Sequence, residues 1–227
     1  MRPDAPFDQY QRYRIAAEIG GFCRQTAGGL PRVLDVGGSF HDLNGHPRLP
    51  IQEFLCDSFC VTVDVSLNPL QNYARARGDA LPFADRAFQL VTCLDVLEHV
   101  PRDERLTLLR EVSRASSRAI VVAAPFDDPL IRRAEDMLSG FISRTCGFVQ
   151  EQLKEHRELG LPSLDETRRQ LETIGWSLCV FPYGNLWRWL CMMIDKHAIV
   201  AVPGSHLTHQ HLYAHFNHEI FVRDRET

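Results

Sequence analysis

A chain of 227 residues, 44% of them hydrophobic, can bury one sizeable core, and a single α/β domain spanning 1–227 needs no second unit. Lys and Arg number 25 against 29 Asp and Glu, a formal charge of -4; without the basic excess of a domain that tracks phosphates, a nucleic-acid substrate is disfavoured. The opening MRPDAPFDQYQRYR has no apolar run behind its charges, so no targeting peptide is expected and the location reads as cytoplasmic.

Asp8 to Gln25 sets Tyr13, Ile15, Ala16, Ile19 and Phe22 near helical spacing ahead of Ala27-Gly28-Gly29, predicting an N-terminal helix. Short apolar or β-branched runs with little alternation predict strands at Arg32–Val36, Cys60–Asp64, Phe88–Leu94 and Ala119–Ala124, covered on both faces. Pro101 to Arg114 predicts a helix with Pro in its first turn and Leu106, Leu108, Leu109 and Val112 along one side. This order implies a parallel sheet with right-handed crossovers. Past Pro125, helical spacing in Asp127 to His156 predicts a helical cap, about 127–160, over the sheet's carboxyl edge. Ser163 to Gly175 predicts a helix opened by a Ser163–Glu166 capping box, followed by a strand at Trp176–Pro182 and a last strand at Glu219–Arg223. The intervening 183–217 predicts a helical insertion of two helices on the substrate side.

Within that insertion, Leu186 to Val202 is broken by Arg188, Asp195 and Lys196 and is too short and charged for a transmembrane segment. Trp187, Trp189, Met192 and Met193 suit either an apolar substrate wall or ordinary packing, with packing the commoner use of such spacing. Seven scattered cysteines predict buried free thiols, and Cys56 with Cys60 lacks partners at zinc spacing. His206, His209, His211, His215 and His218 form an unusual run, read as polar lining or exposed surface because no acid or Cys stands beside it before Glu219. No metal is expected.

Ligands of open parallel sheets bind beyond the carboxyl ends of the strands, where strand order reverses. Acids fall there. Asp35 closes the first strand in VLDVGGS, Asp64 closes the second in VTVDVS, and Asp79 sits in the turn GDALPF. Gly37 and Gly38 permit a sharp turn and close backbone approach. Asp64 is placed to accept from ribose hydroxyls, a feature that NAD enzymes share. An NAD-dependent oxidoreductase, however, predicts G-x-G-x-x-G after the first strand, where this chain has Gly37-Gly38-Ser39-Phe40-His41-Asp42.

Together with Cys93-Leu94-Asp95-Val96-Leu97-Glu98-His99-Val100-Pro101, these segments resemble the core of class I S-adenosylmethionine (SAM)-dependent methyltransferases of the small-molecule type, over about Tyr10 to Phe126. The resemblance implies a Rossmann-like fold with a mostly parallel seven-stranded sheet, helices on both faces and a reversed last hairpin. It implies SAM as cofactor and S-adenosylhomocysteine as product. Asp35 and the loop of Gly37, Gly38 and Ser39 would carry the methionine half, although the family's D-x-G-x-G-x-G is altered, with Ser39 and His41 in place of later glycines. Asp64 and Val65 would meet the ribose side, Asp79, Ala80 and Leu81 the adenine, and Asp95 completes the cofactor set. Tyr13 and Arg14 on the first helix would close over the site, Arg14 pairing with the methionine carboxylate, while Tyr13 reads equally as core. EHRELGLPSLDET and FPYGNLWRWLCMM resemble bacterial members associated with glycan or cell-surface biosynthesis.

The expected activity is methyl transfer to a small-molecule hydroxyl, sugar or glycan-related. A hydroxyl must lose its proton, and His99, then His156, are the candidate bases, helix packing being the alternative for His99. The other reading is a methyltransferase-like protein without catalysis, serving as a binding or scaffold partner.

Overall fold

Five parallel strands in the order β5-β4-β1-β6-β7 form the centre of the computed structural model, which describes residues 5–27, 29–42, 45–201, 212–214 and 217. Helix α1 (Phe7–Ala27) leads into β1 (Arg32–Val36), followed by a two-stranded hairpin of β2 (Phe40–His41) and β3 (Pro47–Arg48), then α2 (Pro50–Phe54). The chain continues through β4 (Phe59–Asp64), β5 (Tyr73–Arg75), β6 (Phe88–Leu94), a 3-10 turn (Leu97–His99), α3 (Arg105–Ala115) and β7 (Ser116–Ala123). Four helices complete the described part: α4 (Pro129–Cys146), α5 (Glu151–Leu159), α6 (Leu164–Ile174) and α7 (Leu186–Val200).

The pleat sends neighbouring residues to opposite faces, which divides the core in two. Leu34, Val36, Val63, Val91 and Cys93 pack with Leu108, Leu109 and Val112 of α3 and Leu171 of α6. Val33, Cys60, Leu90 and Leu94 pack instead with Tyr10, Tyr13 and Ala16 of α1 and Ile51 and Phe54 of α2. Strand β1 pairs with β4 through Asp35–Thr62 and with β6 through Asp35–Thr92, so Asp35 sits at the centre of the sheet. The chain runs from β1 outward to β4 and β5 and then returns to β6 on the other side of β1. That reversal sets a crevice at the carboxyl ends of β1, β4 and β6.

The predicted strands at the centre match closely, but the sheet has five strands among the described residues rather than seven. Trp176–Pro182 is not a strand. Trp176 and Leu178 still turn inward onto the α3 side of the core, whereas Val180 and Phe181 are exposed, so the side-chain alternation is partly kept without a backbone ladder. Glu219–Arg223 lies outside the described residues, as does the histidine run at 206, 209, 211, 215 and 218. Of the expected insertion, α7 is one helix, and its Asn185 cap accepts from the amides of Trp187 and Arg188 at 3.1 Å each.

Two local expectations are also corrected. Pro101 lies outside α3, because a turn over residues 102–104 intervenes before the helix begins at Arg105. Ser163 does cap α6, accepting from the Glu166 amide at 3.3 Å, but the Glu166 carboxylate turns to Arg102 at 2.9 Å instead of completing the box. The cysteines are free, yet only Cys23, Cys60 and Cys93 are buried; Cys56, Cys179 and Cys191 are exposed, so Cys56 and Cys60 do not share an environment. No described helix is long and apolar enough to cross a membrane.

Leu109 is fully buried where α3 meets the sheet. Leu109→Ala is expected to cost about 2–5 kcal/mol in urea unfolding; a loss under about 1 kcal/mol would show that α3 is not anchored there.

Candidate functional site

The loop after β1 is shaped by close contact. Gly37 has φ +77, and a Cβ there would lie 2.3 Å from Val96 Cγ2; at Gly38 it would lie 1.7 Å from Asp35 Oδ2. Both positions therefore require glycine. The Gly37 amide donates to the Val63 carbonyl at 2.7 Å, and the Ser39 amide donates to Asp64 Oδ2 at 3.2 Å. Asn68 donates to Ser39 Oγ at 3.0 Å, so the residue in place of a family glycine is tied to the β4 side.

Asp64 accepts from the amide and hydroxyl of Ser66 at 3.0 Å through Oδ1, while its other oxygen takes only the Ser39 amide among these contacts. A carboxylate has about four acceptor directions, which leaves capacity for a ligand hydroxyl. Beyond it, Val65 and Leu67 are 61% and 73% exposed, an apolar surface at the sheet's carboxyl edge. These features fit a nucleoside group: a hydrogen-bond acceptor beside apolar surface.

Asp79 is engaged differently. Both its oxygens accept from Arg77, at 2.9 and 2.8 Å, and Arg77 also donates to Glu104 at 2.6 Å. These contacts hold the Asp79 carboxyl below its ordinary pKa. The Leu81 amide donates to Glu111 at 2.9 Å, that of Ala80 to the Arg77 carbonyl at 3.2 Å. The turn around Asp79 is thus braced by Arg77 and Glu111, neither singled out by the sequence.

Asp35 is fully buried, accepting from Tyr13 Oη at 2.9 Å and Thr92 Oγ1 at 2.6 Å. Burial pushes its carboxyl up to about 7, opposed by those hydrogen bonds and by the Arg12 charge. Tyr13, which burial raises well above its ordinary value, is core as well as Asp35's donor. Arg14 donates to Tyr10 Oη at 3.4 Å. Arg12, on the same helix, is paired with Asp8 at 3.3 Å and with Asp95, whose φ is +52. Asp95 also donates its amide to Ala123 at 2.8 Å.

Past Asp95, the 3-10 turn meets α5. His99 Nδ1 contacts Glu155 at 2.7 Å, and His156 Nδ1 contacts Glu135 of α4 at 2.8 Å. The two rings lie 4.8 Å apart between centroids. Glu98 is 1% exposed, and burial raises its pKa, whereas burial lowers that of His99 and favours its neutral form. The structure therefore brings the two predicted imidazoles together and adds Glu98, Glu135 and Glu155. Glu98 was visible only as the neighbour of His99. By contrast, Trp189, Met192 and Met193 line, with Asp8, Lys196 and Tyr213, a void of about 10 Å³, room for one water at most.

The family model described as a methyltransferase domain matches residues 50–118, from α2 into β7. Among solved structures, this chain is similar to the YcgJ protein of Bacillus subtilis, with 18% identity, 81% of this chain and 82% of that one covered, and TM-score 0.44. A putative methyltransferase from Bacillus halodurans gives 17% identity, 82% and 86% coverage, and TM-score 0.45. The Burkholderia thailandensis 1,6-didemethyltoxoflavin-N1-methyltransferase, solved with 1,6-didemethyltoxoflavin and S-adenosylhomocysteine, gives 13% identity, 52% and 55% coverage, and TM-score 0.37. No curated protein matches the chain.

The raised pKa of Asp35 has a thermodynamic sign. The native state keeps this proton from the ordinary value of 3.8 up to about 7, so the stabilisation is fully present below 3.8 and is lost as pH rises toward about 7. Asp35→Asn is expected to flatten that decline in urea midpoints measured across the window, with Glu98 leaving a residual slope of the same sign. Parallel wild-type and variant curves would mean that Asp35 titrates normally.

Proposed function

We propose that the protein methylates a hydroxyl group of a small molecule, with the nucleoside of SAM across the ends of β1 and β4 and the acceptor beside the 3-10 turn. SAM supplies a sulfonium-bound methyl carbon that already carries its electrophilic character. The protein's tasks are to align two partners, exclude water and manage one proton; alignment alone is worth on the order of 7–11 kcal/mol.

In this reading Gly37, Gly38 and Ser39 hold the methionine half, Asp64 and Val65 the ribose side, and Asp79, Ala80 and Leu81 the adenine side. Asp35, Tyr13 and Asp95 set the shape of that surface from beneath, through the hydrogen bonds and ion pair described above. Arg14 lies one turn from Tyr10 on the helix that borders the site. His99 takes the hydroxyl proton, its ring oriented by Glu155 and its neutral form favoured by burial. His156, oriented by Glu135, completes the wall. The observation that carries the oxygen-acceptor reading is this pair of carboxylate-oriented imidazoles past the end of β6, one strand from Asp35.

Isothermal titration with SAM and S-adenosylhomocysteine tests the cofactor half of the proposal. Asp64→Ala is expected to weaken binding at least about tenfold, since it removes a charged hydrogen-bond acceptor and frees the Ser39 loop. A folded wild type that binds neither compound would instead favour the binding or scaffold reading. For the acceptor, hydroxyl-bearing and amine-bearing small molecules are compared by mass spectrometry for a gained methyl group. O-methyl products formed by the wild type and lost in His99→Gln are expected; exclusive N-methylation would overturn the hydroxyl assignment.

A further inference from the structure

We infer that Glu98, His99 and His156 bind one divalent transition-metal ion, the imidazoles through Nε2 and the glutamate through a carboxylate oxygen. One ligand atom from each of these residues lies within 4.8 Å of the other two. Each imidazole has its Nδ1 on a carboxylate, Glu155 for His99 and Glu135 for His156, which orients the ring and leaves Nε2 for a ligand. A carboxylate behind each imidazole is the usual support of a metal-bound histidine.

Two independent features point to an occupant. Glu98 Oε2 and His156 Nε2 are buried with no hydrogen-bond partner, on residues 1% and 8% exposed. Buried polar atoms are ordinarily satisfied, and one cation between these two would satisfy both. The spacing of the rings also fits: imidazoles on adjacent positions of one ion, with metal–nitrogen bonds of about 2.1 Å, have centroids about 5 Å apart, against 4.8 Å here.

Charge favours a cation. Glu98, Glu135 and Glu155 surround two imidazoles, while the charges of Arg12 and Arg105 act on Glu98 from α1 and α3. Two nitrogens and one oxygen suit Zn²⁺, Co²⁺, Mn²⁺ or Fe²⁺ better than Ca²⁺ or Mg²⁺, which take oxygen ligands. Three protein ligands leave a position open. Resting on the methyltransferase reading, that position takes the acceptor hydroxyl, lowers its pKa, and transfers the deprotonating role from His99 to the ion, with the proton released to water. The acceptor is then one whose oxygen binds a divalent metal.

The test uses chelator-treated full-length protein titrated with Zn²⁺ alone by calorimetry, and with Co²⁺ alone by absorbance. One ion per chain is expected. Glu135→Gln is expected to weaken Zn²⁺ binding about 10–100-fold, and His99→Gln or His156→Gln by more than that. Replacing the five histidines at 206–218 by alanine is expected to leave this ion bound. A folded wild type that takes up no ion overturns the site, as does an affinity unmoved by His156→Gln and abolished by the changes at 206–218. Circular dichroism verifies folding; if His156→Gln does not fold, His99→Gln and Glu155→Gln carry the comparison. SAM titrated into the same samples separates the two proposals. SAM binding without Zn²⁺ removes the metal site alone, and Zn²⁺ binding without SAM leaves the ion but removes its role on an acceptor.

Discussion

The buried carboxyl of Asp35 joins three parts of the molecule: it belongs to β1, accepts from Tyr13 of α1 and accepts from Thr92 of β6. Its position beside the strand reversal means that the same group fixes the first helix to the sheet and sets the floor of the crevice. Gly38 passes so close to this carboxyl that no side chain fits between them. The backbone of the glycine loop is therefore placed by a group that a ligand need not touch. Burial makes the ionised form of Asp35 costly, and Tyr13, Thr92 and Arg12 reduce that cost from three directions.

Two kinds of surface meet along the carboxyl edge. On the β4 side, exposed Val65 and Leu67 adjoin acceptors on Asp64, a mixture suited to a flat ring with hydroxyls. On the β6 side, Glu98, His99, Glu135, Glu155 and His156 collect where α4 and α5 reach the 3-10 turn. Arg12, paired with Asp95, has a charge that acts on Asp35 as well as Glu98. The fold thus separates an apolar, hydroxyl-accepting surface from a titratable one.

The central strands were legible because burial on both faces leaves a continuous apolar run, and Arg32–Val36 and Phe88–Leu94 have no competing interpretation. Tyr73–Arg75, Phe40–His41 and Pro47–Arg48 are too short for periodicity to register, and their pairing depends on tertiary contacts. Trp176–Pro182 shows the opposite failure: alternation placed Trp176 and Leu178 inward, but alternation says nothing about whether a neighbouring strand is there to pair with. Residue types at strand ends singled out Asp35, Asp64 and His99 without identifying their partners. The Arg77 clamp on Asp79, and the glutamates behind His99 and His156, come from segments far apart in sequence. Arg12 carries no motif of its own, and only the packing of α1 shows that it turns toward Asp95.

Asp95 combines a left-handed backbone, φ +52, with a carboxylate paired to Arg12. These demands select different residues. Glycine adopts this backbone freely and asparagine tolerates it, but neither brings a charge; glutamate brings the charge and meets a conformational penalty on the order of 1 kcal/mol. Aspartate alone among the common residues satisfies both at small cost, so position 95 has almost no freedom to drift. A change at position 95 would leave Arg12 with Asp8 as its carboxylate partner, so the backbone demand at 95 is the stricter of the two.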